Sequence, residues 1–180
     1  KKIYKDGVSN CAGVQPRRNS NYEMVKVSTL FDVTKGTLAS ESSIDGDYPF
    51  ITAGEEWKTH IEYALDTEAI VYAVSAAGSL GRSHYVKGKF IASNLCFVLQ
   101  NKHDPKYPID LEFYNCYFAS IKKQIVSDLA DGTSKLTISL DMFKDYYIDY
   151  IPYEEQQAFI QTKLKNFLEL QKQYRKAQEQ

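Results

Sequence analysis

The sequence offers no long apolar run. Nowhere does it supply the roughly 20 consecutive apolar residues that cross a bilayer. The opening KKIYKDGVSN also lacks the apolar stretch of a secretory signal, so no membrane segment is expected. Cysteine is scarce: Cys11, Cys96 and Cys116 form an odd set with no C-x-x-C pair. That argues against a disulfide framework and for reduced thiols in a cytoplasmic protein, with Cys96 and Cys116 in apolar, buried-looking contexts. The histidines His60, His84 and His103 stand far apart with no ligand spacing, so neither a metal nor a cofactor is expected. An excess of charge of one sign is also missing, with Lys+Arg 22 against Asp+Glu 23 and a formal net charge of -1. This argues against a polybasic tail or a nonspecific nucleic-acid coat and leaves room for a local basic face. What the chain does have is 180 residues, 43% of them apolar, enough for one domain plus an appendage. It also has 14 tyrosines, whose rigid rings with polar tips suit binding surfaces as well as strand faces. It opens on Lys1 rather than methionine, as a piece excised from a longer protein would.

Three regions follow from the patterning. Residues 1–21 are polar, carry Arg17 and Arg18, and read as a leader or linker. Residues 22–151 read as the folded domain. In YEMVKVSTLFDVTKG, the spacing of Val27, Leu30 and Phe31 predicts a short helix closed by a turn at Gly36. From Ser40 to Leu99 the period shifts toward two, and YPFITA, IEYALD, AIVYAVS, HYVKGKFIAS and LCFVLQ predict short strands. DGD, AGEE, AAGSLG and KGK separate them, and Ile70–Val74, apolar on both faces, is expected at the centre. Leu111, Tyr114, Phe118, Ile121 and Ile125 predict one amphipathic helix over 110–128 with Asp110 as N-cap and Lys122 and Lys123 in its later turns. LTISLDMFKDYYIDYIP predicts a brief strand, a helical turn capped by Ser139 or Asp141, and a strand ending at Pro152. Residues 152–180, which past Pro152 contain neither glycine nor proline, predict one helix with a stripe of Ile160, Leu164, Phe167, Gln171 and Tyr174, widened by Leu168 and Leu170. A helix of that length, roughly 40 Å at ~1.5 Å per residue, has more apolar stripe than a small domain covers and calls for a partner helix. The expected fold class is therefore α+β: a short-stranded, mostly antiparallel β domain with a few helices, followed by a long C-terminal helix.

Enzyme readings fail on their spacing. SAAGSLGRS is glycine-rich and follows an apolar run, but it lacks the lysine of a P-loop and leads into another strand instead of a helix. Asp104-Pro105-Lys106-Tyr107 lacks the second proline of an adenine methyltransferase motif. Glu56-x-Lys58 has no acidic partner upstream for a magnesium-dependent nuclease, and no nucleophile–base set can be nominated. No catalytic residue is expected.

The strand end YIDYIPYEEQQAFI resembles the target recognition domain of type I restriction–modification specificity subunits, or the related domain of fused restriction–methylation enzymes. In that family a strand closing in I-P-x-P precedes an E-E-Q sequence that opens a long helix. Here the corresponding residues are Ile151-Pro152-Tyr153-Glu154-Glu155-Gln156, with Tyr153 in place of the second proline. VKVSTLFDVTKGT, GDYPFITAGEEW, AAGSLGRSHYVKGKFIASNLCFVL and TISLDMFKDYYIDYIP resemble further family segments, in order, over about Tyr22 to Tyr174. The resemblance implies a non-catalytic domain, 22–151, that reads part of a double-stranded DNA target. It implies a helix over 152–180 that docks methyltransferase (modification) and restriction subunits, or pairs with a second recognition domain or a second copy. A half-subunit that dimerises, the recognition end of a fused enzyme and a cut fragment all fit.

On that reading the glycine loop presents Ser79, Arg82 and Ser83 to DNA, with Arg82 on a guanine edge or a phosphate. Further expected DNA contacts are Lys35 with Thr37, the group Trp57, Lys58 and His60, Tyr48 in GDYPF, and Ser134 with Lys135. Ile160, Leu164, Phe167 and Tyr174 are expected on a partner helix. A competing reading is an assembly module that uses the C-terminal helix without reading DNA.

Overall fold

The computed structural model describes residues 21–179. The linker expected over 1–21, with Cys11, Arg17 and Arg18, lies outside the described residues apart from Asn21. The described chain is α+β and mostly antiparallel, as the patterning predicts. Strand β1 (Glu23–Lys26), a single turn α1 (Val27–Leu30) and β2 (Phe31–Lys35) follow one another directly. Strands β3 (Tyr48–Ile51), β4 (Lys58–His60), β5 (Leu65–Ala73), β6 (Ser83–Ala92) and β7 (Cys96–Asn101) come next. Helices α2 (Leu111–Ser120), α3 (Lys122–Leu129) and α4 (Leu140–Asp145), strand β8 (Tyr147–Tyr150) and helix α5 (Tyr153–Gln178) complete the order.

One sheet runs β2-β7-β5-β6-β3-β4 and a two-stranded ladder joins β1 to β8; only the β3–β6 contact between named strands is parallel. The end of β6 curls back: Ser93 bridges Leu38, and the Thr37 N–H donates to the Ala92 carbonyl at 3.0 Å. The curl encloses Ile51, Ala69, Val71, Ala73, Val86, Phe90, Cys96 and Val98. On the other face of the sheet, Ile70, Tyr72, Phe97 and Leu99 pack with Phe118, Ile125 and Phe143 of the helices. Strand β5 lies between these two cores, so alternate residues of Ile70–Val74 point into different apolar clusters and all are buried. That accounts for the run being apolar on both faces.

Five expectations about local structure are corrected. The helix predicted through Phe31 is one turn, because Lys26 pairs with β8 and Phe31 with β7, and strand pairing on both sides outweighs the helical spacing. KGK is not a turn: Gly88 lies inside β6, opposite Thr67. IEYALD contributes only Leu65 and Asp66 to a strand, while Lys58–His60, outside the expected strands, pairs with β3. The helix over 110–128 breaks at Ile121, where the Ser120 hydroxyl donates to the Tyr117 carbonyl at 2.6 Å and competes for it. Lys122 and Lys123 therefore open α3 instead of closing a longer helix. The caps agree with the sequence: Asp110 accepts from the Phe113 N–H at 3.0 Å and Ser139 from that of Met142 at 3.4 Å. LTIS forms no strand beyond an Asp131–Thr137 bridge.

Helix α5 has 26 residues, about 39 Å at 1.5 Å per residue. Glu154 and Glu155 in its first turn and Arg175 and Lys176 in its last suit the helix dipole. Its first turn is fastened to the domain by Gln156, which is fully buried. The Gln156 carbonyl accepts from the Asp110 N–H at 2.7 Å, and its amide donates to the carbonyls of Ile151 at 2.8 Å and Pro108 at 3.2 Å. Beyond Ile160 the described residues of the helix are all exposed, with Lys163 still reaching Cys116 of α2.

Candidate nucleic-acid interface

The curl of the sheet gathers loops that are distant in sequence onto one rim. Across the sheet, Lys35 pairs with Phe97, Phe97 with Tyr72, and Tyr72 with Ser83, so the ends of β2 and β6 are level. The Val74 N–H donates to the Leu95 carbonyl, and the Ile138 N–H donates to that of Val74, each at 2.9 Å. These bonds draw the β6–β7 turn and the 131–137 loop alongside the glycine hairpin. The Gly36 N–H donates to the Cys96 carbonyl, and a Cβ at Gly36 would lie 1.9 Å from the Ser93 carbonyl oxygen. Only glycine fits that approach, which accounts for the K-G turn after β2.

The hairpin SAAGSLGRS is anchored in several ways. Leu80 is buried in the core, and Gly81, at φ +84, sits so close to α3 that a Cβ would meet Lys122 Cγ and Val126 Cγ2 at 2.9 Å. The Arg82 N–H donates to the Ser79 carbonyl at 2.9 Å, and the Arg82 carbonyl accepts from the Ala73 N–H at 2.8 Å. The Arg82 guanidinium lies 3.7 Å from the Glu55 carboxylate. His84 holds the neighbouring loop: its Nε2 is 2.8 Å from the Gly54 carbonyl, and its ring meets Trp57 edge-on at 5.8 Å. Burial lowers the His84 pKa, Arg82 lowers it further, and the Gly54 carbonyl opposes them. The neutral ring that donates Nε2–H to Gly54 is thus the favoured form.

The expected contacts divide accordingly. Lys35, Thr37, Trp57, Lys58, Ser79, Arg82, Ser134 and Lys135 belong to the gathered loops; Lys35, Thr37, Trp57, Lys58, Ser134 and Lys135 are exposed. Ser83 is at the rim, but its hydroxyl donates inward to the Asn115 carbonyl of α2 at 3.2 Å. His60 is buried and its Nδ1 accepts from the Ile44 N–H at 3.1 Å, which withdraws its ring from the exposed surface that carries Trp57 and Lys58. Tyr48, the strand partner of His60, packs on Tyr63 at 4.9 Å between ring centroids, at the other end of the β3–β4 ladder. Sequence reasoning missed Glu55 and His84. Nothing local marks them, since their partners are 27 and 30 residues away in sequence.

Charge is sorted by position even though it sums nearly to zero. Lys35, Lys58, Arg82, Lys122, Lys123 and Lys135 flank the rim together with Glu55, Glu56 and Asp131. At the Tyr48 end lie Asp45, Asp47, Glu62 and Asp66 with Lys89, whose ammonium sits 5.1 Å from the Tyr63 ring centre. Among the described residues no group of three or more His, Cys, Asp or Glu is placed to hold a metal, and no helix is long and apolar enough to cross a membrane. Burial pushes the Cys96 thiol up to about 12, which leaves it unreactive.

On α5, Leu164, Phe167 and Tyr174 are exposed, together with Leu168 and Leu170. Ile160 is different: it is half-buried against the domain's own core, which corrects its expected place on a partner helix. Cys116, expected to be buried, is half-exposed, with the Lys163 ammonium 3.2 Å from its sulfur.

The family described as Type I restriction modification DNA specificity domain has a sequence model that matches residues 19–179. No curated protein matches the chain. Among solved structures the chain is similar to the type I restriction–modification S subunit from M. genitalium, at 23% identity and a TM-score of 0.64, over 83% of this chain and 40% of that one. It is similar to the HsdS subunit from Thermoanaerobacter tengcongensis, at 13% identity and a TM-score of 0.57, over 95% and 44% of the two chains. A structure described for complex assembly and conformational transition of the type I R-M system matches at 11% identity and a TM-score of 0.58, over 94% and 45%. At these identities the likeness is one of fold, and the chain spans less than half the length of each structure.

Proposed function

Because the chain belongs to the Type I restriction modification DNA specificity domain family, we propose that it reads part of a double-stranded DNA target with the rim described above and performs no catalysis itself. One observation carries the reading: four loops far apart in sequence, bearing Lys35, Trp57, Lys58, Arg82 and Lys135, are tied by backbone hydrogen bonds and side-chain contacts to a single edge. Lysines there neutralise phosphates and set orientation, while Arg82 and its neighbours reach base edges. The exposed stripe of α5 docks modification and restriction subunits, a second recognition domain or a second copy of the chain, in the cytoplasm. That stripe also favours the second reading, an assembly module that reads no DNA.

Selection from a random duplex pool at two salt concentrations separates the readings. A recognition domain enriches a half-site of a few base pairs, and its affinity falls with a log–log salt slope of about -0.9 per neutralised phosphate. Arg82→Ala then weakens binding to the enriched site about tenfold or more, with the unfolding midpoint unchanged. Failure to enrich any sequence, with the partner helix supplied, puts the assembly reading first.

A further inference from the structure

Glu55 is out of place on a face meant for phosphates. It is almost fully exposed, its side chain 89% accessible, and a free carboxylate beside a DNA backbone repels it. Yet its loop is fixed on both sides. The Gly54 carbonyl is held by His84 at 2.8 Å, and the Glu56 carbonyl accepts from the Thr52 hydroxyl at 2.9 Å. Arg82 is equally fixed, with its side chain only 29% accessible and its backbone bonded to Ala73 and Ser79. The two charged tips meet at 3.7 Å through one nitrogen and one oxygen, a loose contact on an almost fully exposed carboxylate that contributes little to stability. At 3.7 Å the contact is longer than a hydrogen bond, so guanidinium donors and carboxylate lone pairs keep capacity for another partner.

A carboxylate accepts hydrogen bonds and donates none. In the major groove the donors are the amino groups of cytosine and adenine, and Glu pairs with cytosine N4. Arg pairs with guanine O6 and N7. Neighbouring base pairs are stacked about 3.4 Å apart, close to the separation of the two side-chain tips. Resting on the DNA-reading function proposed above, we propose that Glu55 and Arg82 form a two-residue reader, with Arg82 on a guanine and Glu55 accepting from the amino group of a cytosine in the adjoining base pair. Glu55 is a specificity-determining residue: it gives up phosphate affinity for discrimination.

Pool selection repeated with full-length Glu55→Ala, Glu55→Gln and Arg82→Ala tests this. The wild-type half-site should contain a cytosine and a guanine in adjoining pairs. Glu55→Ala should cut discrimination for the cytosine from about tenfold to near unity, keep the guanine, and bind mixed-sequence duplex more tightly at low salt. Glu55→Gln should shift that position toward adenine, whose N6 and N7 suit an amide. Arg82→Ala should lose the guanine. A half-site that Glu55→Ala leaves unchanged, one without G·C pairs, or loss of one and the same base in the Glu55→Ala and Arg82→Ala variants sinks the reader while recognition stands. A wild-type chain that enriches nothing removes the recognition function, and the reader with it.

Discussion

Gly78 and Gly81 lie three residues apart in one hairpin at nearly the same backbone angle, φ +75 and φ +84, but in different surroundings. A Cβ at Gly78 would meet nothing within 4 Å, whereas one at Gly81 would meet α3 at 2.9 Å. Gly78→Ala should cost only the left-handed backbone, about 1–2 kcal/mol. Gly81→Ala should cost more, by about 1–3 kcal/mol for the added overpacking; urea midpoints of the two variants compare them directly. His84 supports a second prediction at this scale. Its pKa is lower folded than unfolded, so the unfolded chain binds the proton more readily. Above the unfolded value, near 6.5, both states are neutral and His84 adds no pH dependence. Below it, stability falls until the pH passes the folded pKa. His84→Gln, which keeps a donor for Gly54, should flatten this part of the stability profile between pH 7.5 and 5. An unchanged slope would place the acid sensitivity elsewhere.

At the scale of elements, the junction between domain and arm joins the Gln156 hydrogen bonds to the apolar contacts of Phe159 and Ile160. The turn has no side-chain cap at Pro152, and the amide instead satisfies the Asp110 N–H and the Ile151 carbonyl inside the protein. Gln156→Ala orphans both groups, an expected loss of about 2–3 kcal/mol. The Asp110 amide should then exchange hydrogen faster than its neighbours in α2. Retained protection at Asp110 would mean that water or another group replaces the amide. The break at Ile121 belongs to the same scale. The apolar spacing from Leu111 to Ile125 runs straight through it, so periodicity alone cannot locate the break.

For the whole molecule, the two ends of the chain's surface do different work on the proposed reading: the rim meets DNA and the arm meets a partner. Leu164 and Phe167 are 57% and 56% exposed, so replacing both with Glu should leave the domain's unfolding midpoint within about 0.5 kcal/mol of the parent. The same double variant should reduce the sedimenting species to a monomer, or abolish capture by the partner subunit. An unaltered assembled mass would move the interface off this stripe.

The sequence by itself determined the class of the fold, the central strand, the cap at Asp110 and the long helix, because each rests on residues within one or two turns of one another. The apolar run at Ile70–Val74, the Asp110 acceptor before α2 and the glycine-free tail are local signals of that kind. It also marked most of the candidate rim, since the loops carry Lys35, Trp57, Arg82 and Lys135 in plain view. Only the tertiary structure decided which of these residues share an edge. The curl of β6 brings the ends of β2, the 52–57 loop and the hairpin together, places Glu55 against Arg82, and turns His60, Tyr48 and the Ser83 hydroxyl away. Such contacts join residues tens of positions apart through sheet curvature, and that curvature is summed over strands pairing across the whole domain, with no short segment recording it.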